Sequence, residues 1–424
     1  MFRRLLPILP VLLIIVVFSC TDDTGPSAGS GPGLSNAEND LMATPVGESP
    51  ARTTANLRPG AFDRFHPAYH GTIAIGGSGD LAGTVVDPRD NTPIANITVN
   101  ITLPDGSPAG IPPVVSDNLG KFGFTGINDI DYLLTLEDPN YITLEMWTSV
   151  TDSVVTTLPP AWFIPHPVIK KGTACGEITD AVSGQPVGNA HIEFRAGMDA
   201  PDTEPVLYTV TGGAFGHWQQ ANMDAGVYTG KVTHTGYMDG KFNIYVIGAE
   251  TRCNQNVALS PIILGDEMRI VLHWGAVPAD LDSHLWAPHN GCEIQNPFHL
   301  YYVTRGTHGC RMYFDLDLDD VTSYGPETTT IVDSLDNQSP RVNEMYTFAV
   351  HDYTNRASYS SSAMSNSPGL RVDVLTSQWT QTFYMPPNTP ATVWSVFDAV
   401  FDGTEWILTP VNNYYYQPDP AQVH

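Results

Sequence analysis

Acidic side chains alternate with other residues in two segments of the C-terminal third of the chain. Asp280 and Asp282 hold alternate positions in one segment, Asp315 and Asp317 do so in the other, and Glu327 follows. Alternate side chains of a β-strand share a face, so each pair of carboxylates should point the same way. Calcium takes six to eight oxygen ligands. If the two strands are neighbours, these five residues predict a calcium site. A solvated sheet face or turns formed by the aspartates would explain the same pattern, and these interpretations stay open.

Histidines near these carboxylates raise the alternative of a zinc hydrolase. Five of them fall within a stretch of 36 residues: His273, His284, His289, His299 and His308. They lack the H-E-x-x-H spacing that places two zinc ligands on one helix face. The sequence also lacks the G-x-S-x-G motif of a hydrolase nucleophile. Since no nucleophile, base and orienting group can be assembled, we predict that the protein is not an enzyme.

Three consecutive tyrosines, Tyr414, Tyr415 and Tyr416, lie near the end of the sequence between Asn413 and Gln417. Exposed aromatic rings stack on sugar faces or on protein partners. The tyrosines therefore indicate a binding site for a glycan or a protein. Packing of a terminal strand is the alternative.

Five cysteines are present, and four remain once Cys20 is set aside. An even number of cysteines in an exported chain favours disulfides. Four cysteines allow three connectivities, and only the division into domains selects the pairs Cys175 with Cys253 and Cys292 with Cys310. None of the four belongs to a C-x-x-C pair of the kind that binds structural zinc.

The chain begins with the features of an export signal. Arg3 and Arg4 precede an apolar run, residues 5–18, which is shorter than the roughly 20 residues of a membrane span. The run ends at Ser19-Cys20, which resembles the bacterial lipobox. That resemblance implies a lipid on Cys20, an anchor in a membrane and a place in the cell envelope, at the outer membrane or cell surface. Residues 21–75 are rich in Gly, Ser, Pro, Asn and Thr and are predicted to form a flexible linker.

The formal net charge is −26. Such a surface repels nucleic acid and anionic lipid, which excludes a nucleic-acid-binding function and makes cations the natural partners. Acidity also keeps an exported protein soluble without any partner.

A repeat with an offset of 93 residues marks two copies of a small β module. Gly83, Asp87, Pro93, Asn96, Val99, Gly120 and Phe122 correspond to Gly176, Asp180, Pro186, Asn189, Ile192, Gly213 and Phe215. Both aromatic residues are predicted to reach a core, and both aspartates to cap a turn. Strand-type alternation without long amphipathic helices predicts an all-β fold of three tandem β-sandwiches, at residues 76–168, 169–265 and 266–424.

Both copies resemble the carboxypeptidase regulatory-like family. The resemblance is carried in the first copy by Gly83-x-x-x-Asp87, Gly120-x-Phe122-x-Phe124 and Tyr132-x-Leu134, and in the second by Gly176-x-Ile178-x-Asp180, Gly213-x-Phe215 and Gly226-x-Tyr228. It implies two transthyretin-like, seven-stranded sandwiches without an active site, which act as spacers or mediate contacts.

The last segment resembles the YfaP-like family of exported bacterial proteins. The resemblance rests on Trp274, Asp280-Leu281-Asp282-x-His284-Leu285, Asp320-Val321-Thr322-x-x-Gly325-Pro326-Glu327 and Tyr346-x-Phe348-x-Val350. It implies a further β-sandwich and brings no established reaction.

Together these features predict a lipid-anchored bacterial surface protein, in which two sandwiches form a stalk and the third stands at its distal end. The first hypothesis is a structural or adhesive protein that contacts other proteins through the third sandwich and exposed strand edges. Self-association through those edges is a variant of it. The second hypothesis is a carbohydrate-binding accessory lipoprotein that uses calcium and the terminal tyrosines.

Overall fold

A computed structural model describes residues 77–288, 297–305, 314–331, 340 and 342–424, all of which belong to one compact unit, residues 57–424. The predicted all-β class is confirmed. The described residues form strands in six sheets and a single 3-10 helix, Pro420–Gln422, and contain no α-helix. No helix in this part of the chain has the length and apolar character of a membrane span.

The first sandwich consists of eight strands that follow one another along the chain. Their bounds are β1 Ser78–Val86, β2 Thr98–Thr102, β3 Val114–Val115, β4 Lys121–Asn128, β5 Asp131–Glu137, β6 Leu144–Ser149, β7 Val155–Thr157 and β8 Ala161–Trp162. One sheet has the order β4-β1-β7, with β8 also paired to β1, and the other has the order β3-β2-β5-β6. Alternating apolar residues such as Val99 and Ile101 on β2 fill the space between the sheets.

The second sandwich repeats this plan strand for strand. Its strands are β9 Lys171–Asp180, β10 His191–Ala196, β11 Tyr208–Thr211, β12 His217–Asp224, β13 Gly226–Thr233, β14 Gly240–Val246, β15 Thr251–Arg252 and β16 Val257–Leu259. The sheet orders are β12-β9-β15, with β16 also paired to β9, and β11-β10-β13-β14. Asn96 and Asn189, which the repeat aligns, both have a left-handed backbone, with φ of 63° and 62°.

The third sandwich is larger, with two five-stranded sheets. Its strands are β17 Met268–His273, β18 Asp282–Ala287, β19 Phe298–Leu300, β20 Phe314–Leu318, β21 Glu327–Ile331, β22 Met345–His351, β23 Arg371–Thr376, β24 Thr380–Phe383, β25 Val393–Phe401 and β26 Trp406–Tyr415. The sheet orders are β20-β21-β17-β23-β24 and β19-β18-β22-β25-β26. A single apolar core, which includes Trp394 and Phe397, lies between them.

The prediction that Phe215 lies in a core is wrong, because the repeat changes its offset inside the second copy. Phe122 is buried opposite Gly83, but Phe215 is 75 % exposed, and Trp218 is the buried residue, opposite Gly176. Gly120 and Gly216 occupy the same place before these aromatics, with φ of 72° and 76°. A Cβ on either would lie 2.4 Å from a backbone oxygen of the facing strand, so both positions require glycine.

The two repeated aspartates cap turns, as predicted. Asp87 Oδ1 accepts a hydrogen bond from the Arg89 amide at 2.9 Å. Asp180 Oδ1 accepts from the amides of Val182 and Ser183 at 2.9 and 2.8 Å. A carboxylate that bonds its own turn has a structural role, and neither aspartate needs a metal to explain its place.

In the second sandwich, Cys175 and Cys253 form a disulfide, with their Cα atoms 4.3 Å apart. The bond links β9 to the segment that follows β15. The other predicted pair, Cys292 with Cys310, lies outside the described residues. The export signal, Cys20 and the linker also lie outside them.

The first two sandwiches share structure across their boundary. Met198 of the second sandwich is fully buried in the core of the first, together with Val227. Its carbonyl accepts a hydrogen bond from the Trp147 amide at 3.0 Å, and its amide donates to the Glu145 carbonyl at 2.9 Å. A short segment of the second sandwich therefore pairs with β6 and extends that sheet of the first sandwich at its edge.

The third sandwich packs against both of the others, which differs from the stalk with a distal domain that we expected. Asn91 of the first sandwich donates to the Asn366 carbonyl at 2.9 Å and accepts from Asn388 at 3.0 Å. A small apolar cluster joins the second and third sandwiches and includes Ala181 and Val271. These contacts make the three sandwiches one compact body.

Candidate cation centre

The centre is built on one face of the strand pair β18 and β22. Asp282 and His351 stand directly opposite each other in the antiparallel register, and His284 follows Asp282 by two positions. Cross-strand partners and alternate residues share a face, so these three side chains converge. Leu285, on the other face of β18, belongs to the apolar core. Asp282 and His284 therefore share one face of β18, as the alternation in the sequence predicts.

This face is not solvated. Asp282 is 3 % exposed, and His284, His351 and Glu327 have no exposed surface. A ring of Tyr301 stacks on His284 with 5.4 Å between the centroids. The interpretation of the alternation as a water-facing polar face is thus wrong for these residues, because all four are buried.

Three carboxylates form the first half of the centre. One oxygen from each of Asp282, Asp319 and Glu327 lies within 4.8 Å of the other two. Glu327 begins β21, and the Ser283 amide donates a hydrogen bond to its Oε1. Asp319 follows the end of β20, and its Oδ2 pairs with Arg305 Nη1 at 2.8 Å. These contacts occupy one oxygen on each of the two acids.

Each of the three acids has one buried carboxylate oxygen without a partner among the described residues. These oxygens are Asp282 Oδ2, Asp319 Oδ1 and Glu327 Oε2. Removing a carboxylate from water without a hydrogen bond or a counter-charge is costly. A divalent cation bound between the three oxygens would supply the missing partner.

The electrostatics of the carboxylates agree with this geometry. Burial, and then the charges of Asp280 and Asp319, raise the pKa of Asp282 to about 8. Burial raises the pKa of Glu327 well above its usual range, and Asp282 adds to the effect. Burial and the neighbouring charge of Asp319 raise the pKa of Asp280 to about 6. Each acid disfavours ionisation of the next, which a bound cation would reverse.

Histidines form the second half. Asp282, His284 and His351 also offer three ligand atoms within 4.8 Å of one another. Burial lowers the pKa of His351 to about 4 and that of His284 well below its usual range, so both rings are neutral at pH 7. Asp282 thus belongs to two triads, one of carboxylates alone and one with two imidazoles.

The predicted calcium ligands are only partly brought together. Asp282 and Glu327 lie in the centre, and Asp280 lies near enough to raise the pKa of Asp282. Asp315 is exposed on β20. Asp317 accepts a hydrogen bond from Thr330 instead of joining the triads, and burial raises its pKa to about 6. Asp319 and His351 were missed as ligands, although Asp319 continues the acidic ladder.

The other predicted histidines have separate positions. His299 contacts the centre through His284, with 2.8 Å between His299 Nε2 and His284 Nδ1. His273 lies elsewhere, with its Nε2 2.9 Å from Asp373 Oδ2. His289 and His308 lie outside the described residues. Among the three described histidines, His284 and His299 lie together, and His273 pairs with Asp373 instead.

The three terminal tyrosines are not equivalent. Tyr414 and Tyr415 belong to β26 and are half-buried, and the Tyr415 hydroxyl donates to the His424 carbonyl at 2.6 Å. Tyr416 is 42 % exposed and lies beside Tyr359, which is 74 % exposed, with 6.4 Å between their ring centroids. Strand packing therefore accounts for the first two tyrosines.

No protein-family model matches the chain, and a search of curated proteins gives no match. Among solved structures, the chain is similar to GBS52, the minor pilin of the Gram-positive pathogen Streptococcus agalactiae, at 13 % identity over 45 % of this chain and 98 % of that one, with a TM-score of 0.19. It is similar to the Bacillus anthracis TIE protein at 10 % identity over 64 % of this chain and 45 % of that one, with a TM-score of 0.19. The shaft pilin SpaA of Lactobacillus rhamnosus GG has 10 % identity over 44 % of this chain and 99 % of that one, with a TM-score of 0.17. Similarity of this extent identifies neither a partner nor an activity.

Proposed function

We propose that the protein is a non-catalytic structural or adhesive protein of the cell surface, anchored through a lipid on Cys20, and that a calcium-class cation fixes its third sandwich. The observation that carries the cation is the convergence of the Asp282, Asp319 and Glu327 carboxylates, each of which has a buried oxygen without a partner among the described residues. The export signal, the flexible linker and the net charge of −26 support display outside the cytoplasm.

Burial of the site favours a structural role for the cation. Asp282 is 3 % exposed and Glu327 has no exposed surface, so these two ligands are shielded from solvent and from a substrate. Asp282 and Glu327 come from different sheets, so a cation between them would tie β18 to β21. A surface protein that contacts others through its third sandwich would gain a rigid binding face in this way.

Calcium should stabilise the mature chain, residues 21–424. At a calcium concentration 100 times Kd, we expect a gain of about 2.7 kcal/mol in the free energy of unfolding, because only the folded state has the site. Scanning calorimetry of the chelator-treated protein with and without calcium would measure it as a rise in Tm.

The matched variants are Asp319→Asn and Asp315→Asn, which change neighbouring acids of the same segment. Asp319→Asn should lose most of the calcium response, whereas Asp315→Asn should keep it, because Asp315 is exposed outside the centre. Equal responses in the two variants, or an unchanged Tm of the parent protein on adding calcium, would contradict the proposal.

Glycan binding is the second candidate, and the exposed pair Tyr359 and Tyr416 favours it. Aromatic rings at a surface are suited to stacking on sugar faces. Tyr416→Ala should weaken retention on an immobilised polysaccharide by roughly 10-fold, the effect of about 1.4 kcal/mol. Phe215→Ala, which removes an exposed ring from the second sandwich, is the control and should leave retention unchanged. Equal retention of the parent protein and Tyr416→Ala would dismiss this candidate.

A further inference from the structure

The histidine half of the centre has a chemistry that calcium does not use. Its ligand atoms are one carboxylate oxygen, from Asp282, and one ring nitrogen from each of His284 and His351. Calcium and magnesium take oxygen ligands, whereas imidazole nitrogen suits zinc, cobalt, nickel, copper and iron. The two halves of the centre therefore differ in the class of cation that they would take.

One ring nitrogen of His351 forms a hydrogen bond, and the other has no partner among the described residues. Its Nε2 lies 2.9 Å from the Gln417 carbonyl oxygen. A carbonyl can only accept, so Nε2 carries the proton, and in the neutral ring Nδ1 keeps its lone pair. Nδ1 is buried and has no partner among the described residues. Metal-bound histidines are held in this way, with the distal N–H donated to a carbonyl or carboxylate.

His284 has the same arrangement with another partner. Its Nδ1 lies 2.8 Å from His299 Nε2, and its own Nε2 is buried and unpartnered in the part of the chain that the structure describes. In the tautomer in which His284 Nδ1 donates to His299 Nε2, Nε2 of His284 keeps its lone pair for a metal. Trp286 stacks on His299, with 4.2 Å between the ring centroids and an interplanar angle of 11°, and so holds the supporting imidazole in place.

We infer that Asp282, His284 and His351 bind a divalent transition metal of the zinc class. The inference rests on the same centre as the proposed function, with which it shares Asp282. Two hydrogen bonds connect this site to the C-terminal segment. His351 bonds the Gln417 carbonyl, and Trp286 Nε1 on β18 donates to the Val423 carbonyl at 2.6 Å. A metal here would join β18, β22 and the segment after β26 in a structural site.

Cobalt(II) is a suitable probe, because it replaces zinc and absorbs visible light when bound by few ligands. Titration of the chelator-treated mature chain with cobalt chloride should give visible bands that saturate at one equivalent and disappear when zinc is added. His351→Gln should raise the Kd for cobalt by about 100-fold or more, since loss of a supporting partner alone costs 10- to 100-fold. His217→Gln, which changes an exposed histidine of the second sandwich, should not alter the Kd.

Two further measurements keep the inference separate from the calcium proposal and from misfolding. Asp319→Asn should lose the calcium response and keep the cobalt bands, whereas His351→Gln should do the reverse. X-ray absorption at the zinc edge of the unaltered, zinc-loaded protein should show imidazole scattering from two rings. An oxygen-only shell, the absence of cobalt bands in the parent protein, or an unchanged Kd in folded His351→Gln would overturn the inference, whatever calcium does.

Discussion

Trp218→Ala should lower the free energy of unfolding by about 3–5 kcal/mol, the usual cost of removing a large aromatic side chain from a core. Trp218 is 2 % exposed, and its ring lies 5.4 Å from that of Phe194 and 5.9 Å from that of Phe242. Phe215→Ala, three residues away, should change stability by less than about 0.5 kcal/mol, because Phe215 is 75 % exposed.

Urea unfolding followed by circular dichroism would measure both variants against the parent protein. Phe122→Ala provides the equivalent core change in the first sandwich and should resemble Trp218→Ala, since the two residues face Gly83 and Gly176 in the same way. A large loss for Phe215→Ala with a small one for Trp218→Ala would show that the second copy keeps the offset of 93 residues throughout.

Asp373→Ala should cost about 3–5 kcal/mol, because it leaves a buried guanidinium without its counter-charge. Asp373 Oδ2 accepts from Arg371 Nε at 3.0 Å and from His273 Nε2 at 2.9 Å, and Oδ1 accepts from Thr382 at 2.8 Å. The Asp373 side chain is only 14 % exposed, and Arg371 is 9 % exposed. Thr382→Ala, which removes only the neutral donor, is a milder control and should cost about 1 kcal/mol.

This carboxylate should also make stability depend on acid pH. Burial alone would raise the pKa of Asp373, but Arg371 and His273 outweigh it and hold the pKa well below its usual range. An unfolded aspartate, with a pKa of about 3.9, binds its proton first, so the contribution is complete above that pH and falls as the pH drops toward the folded pKa. The stability difference between the parent protein and Asp373→Asn should therefore narrow between about pH 5 and pH 2. A difference that stays constant over this range would exclude Asp373 as the cause.

The strand content of the fold could be predicted from local pattern, but its register could not. The repeat placed Gly83 and Gly176 correctly, since both lie on the first strand of their sandwich. Gly213-x-Phe215 satisfies the same spacing as Gly120-x-Phe122, and only the pairing of Gly176 with Trp218 separates the two alignments. The connection between the second and fourth strands is longer in the second copy, so the residue equivalent to Phe122 is Trp218 and not Phe215. A fixed spacing along the chain does not reveal such an insertion.

The sequence predicts the ligands of the candidate centre that share one strand, but not the ligands that come from other strands. Alternation correctly joined Asp282 with His284, which are two positions apart on β18. His351 lies far along the chain and reaches Asp282 only through the pairing of β18 with β22. Asp319 was not predicted as a ligand, because it lies just beyond β20, which ends at Leu318. The register is irregular between Leu316 and Leu318, and strand alternation beyond that point does not predict the direction of a side chain.

The burial of Met198 and Val227 in the first core has a consequence for the order in which the chain can fold. During synthesis, the amino-terminal residues emerge first, and tandem domains usually fold one after another. Here, the core of the first sandwich includes two side chains from the second, so this core is incomplete until residue 227 has emerged. The first sandwich should therefore stay open to chaperones and proteases until much of the second is available, so that the two mature as one cooperative folding unit.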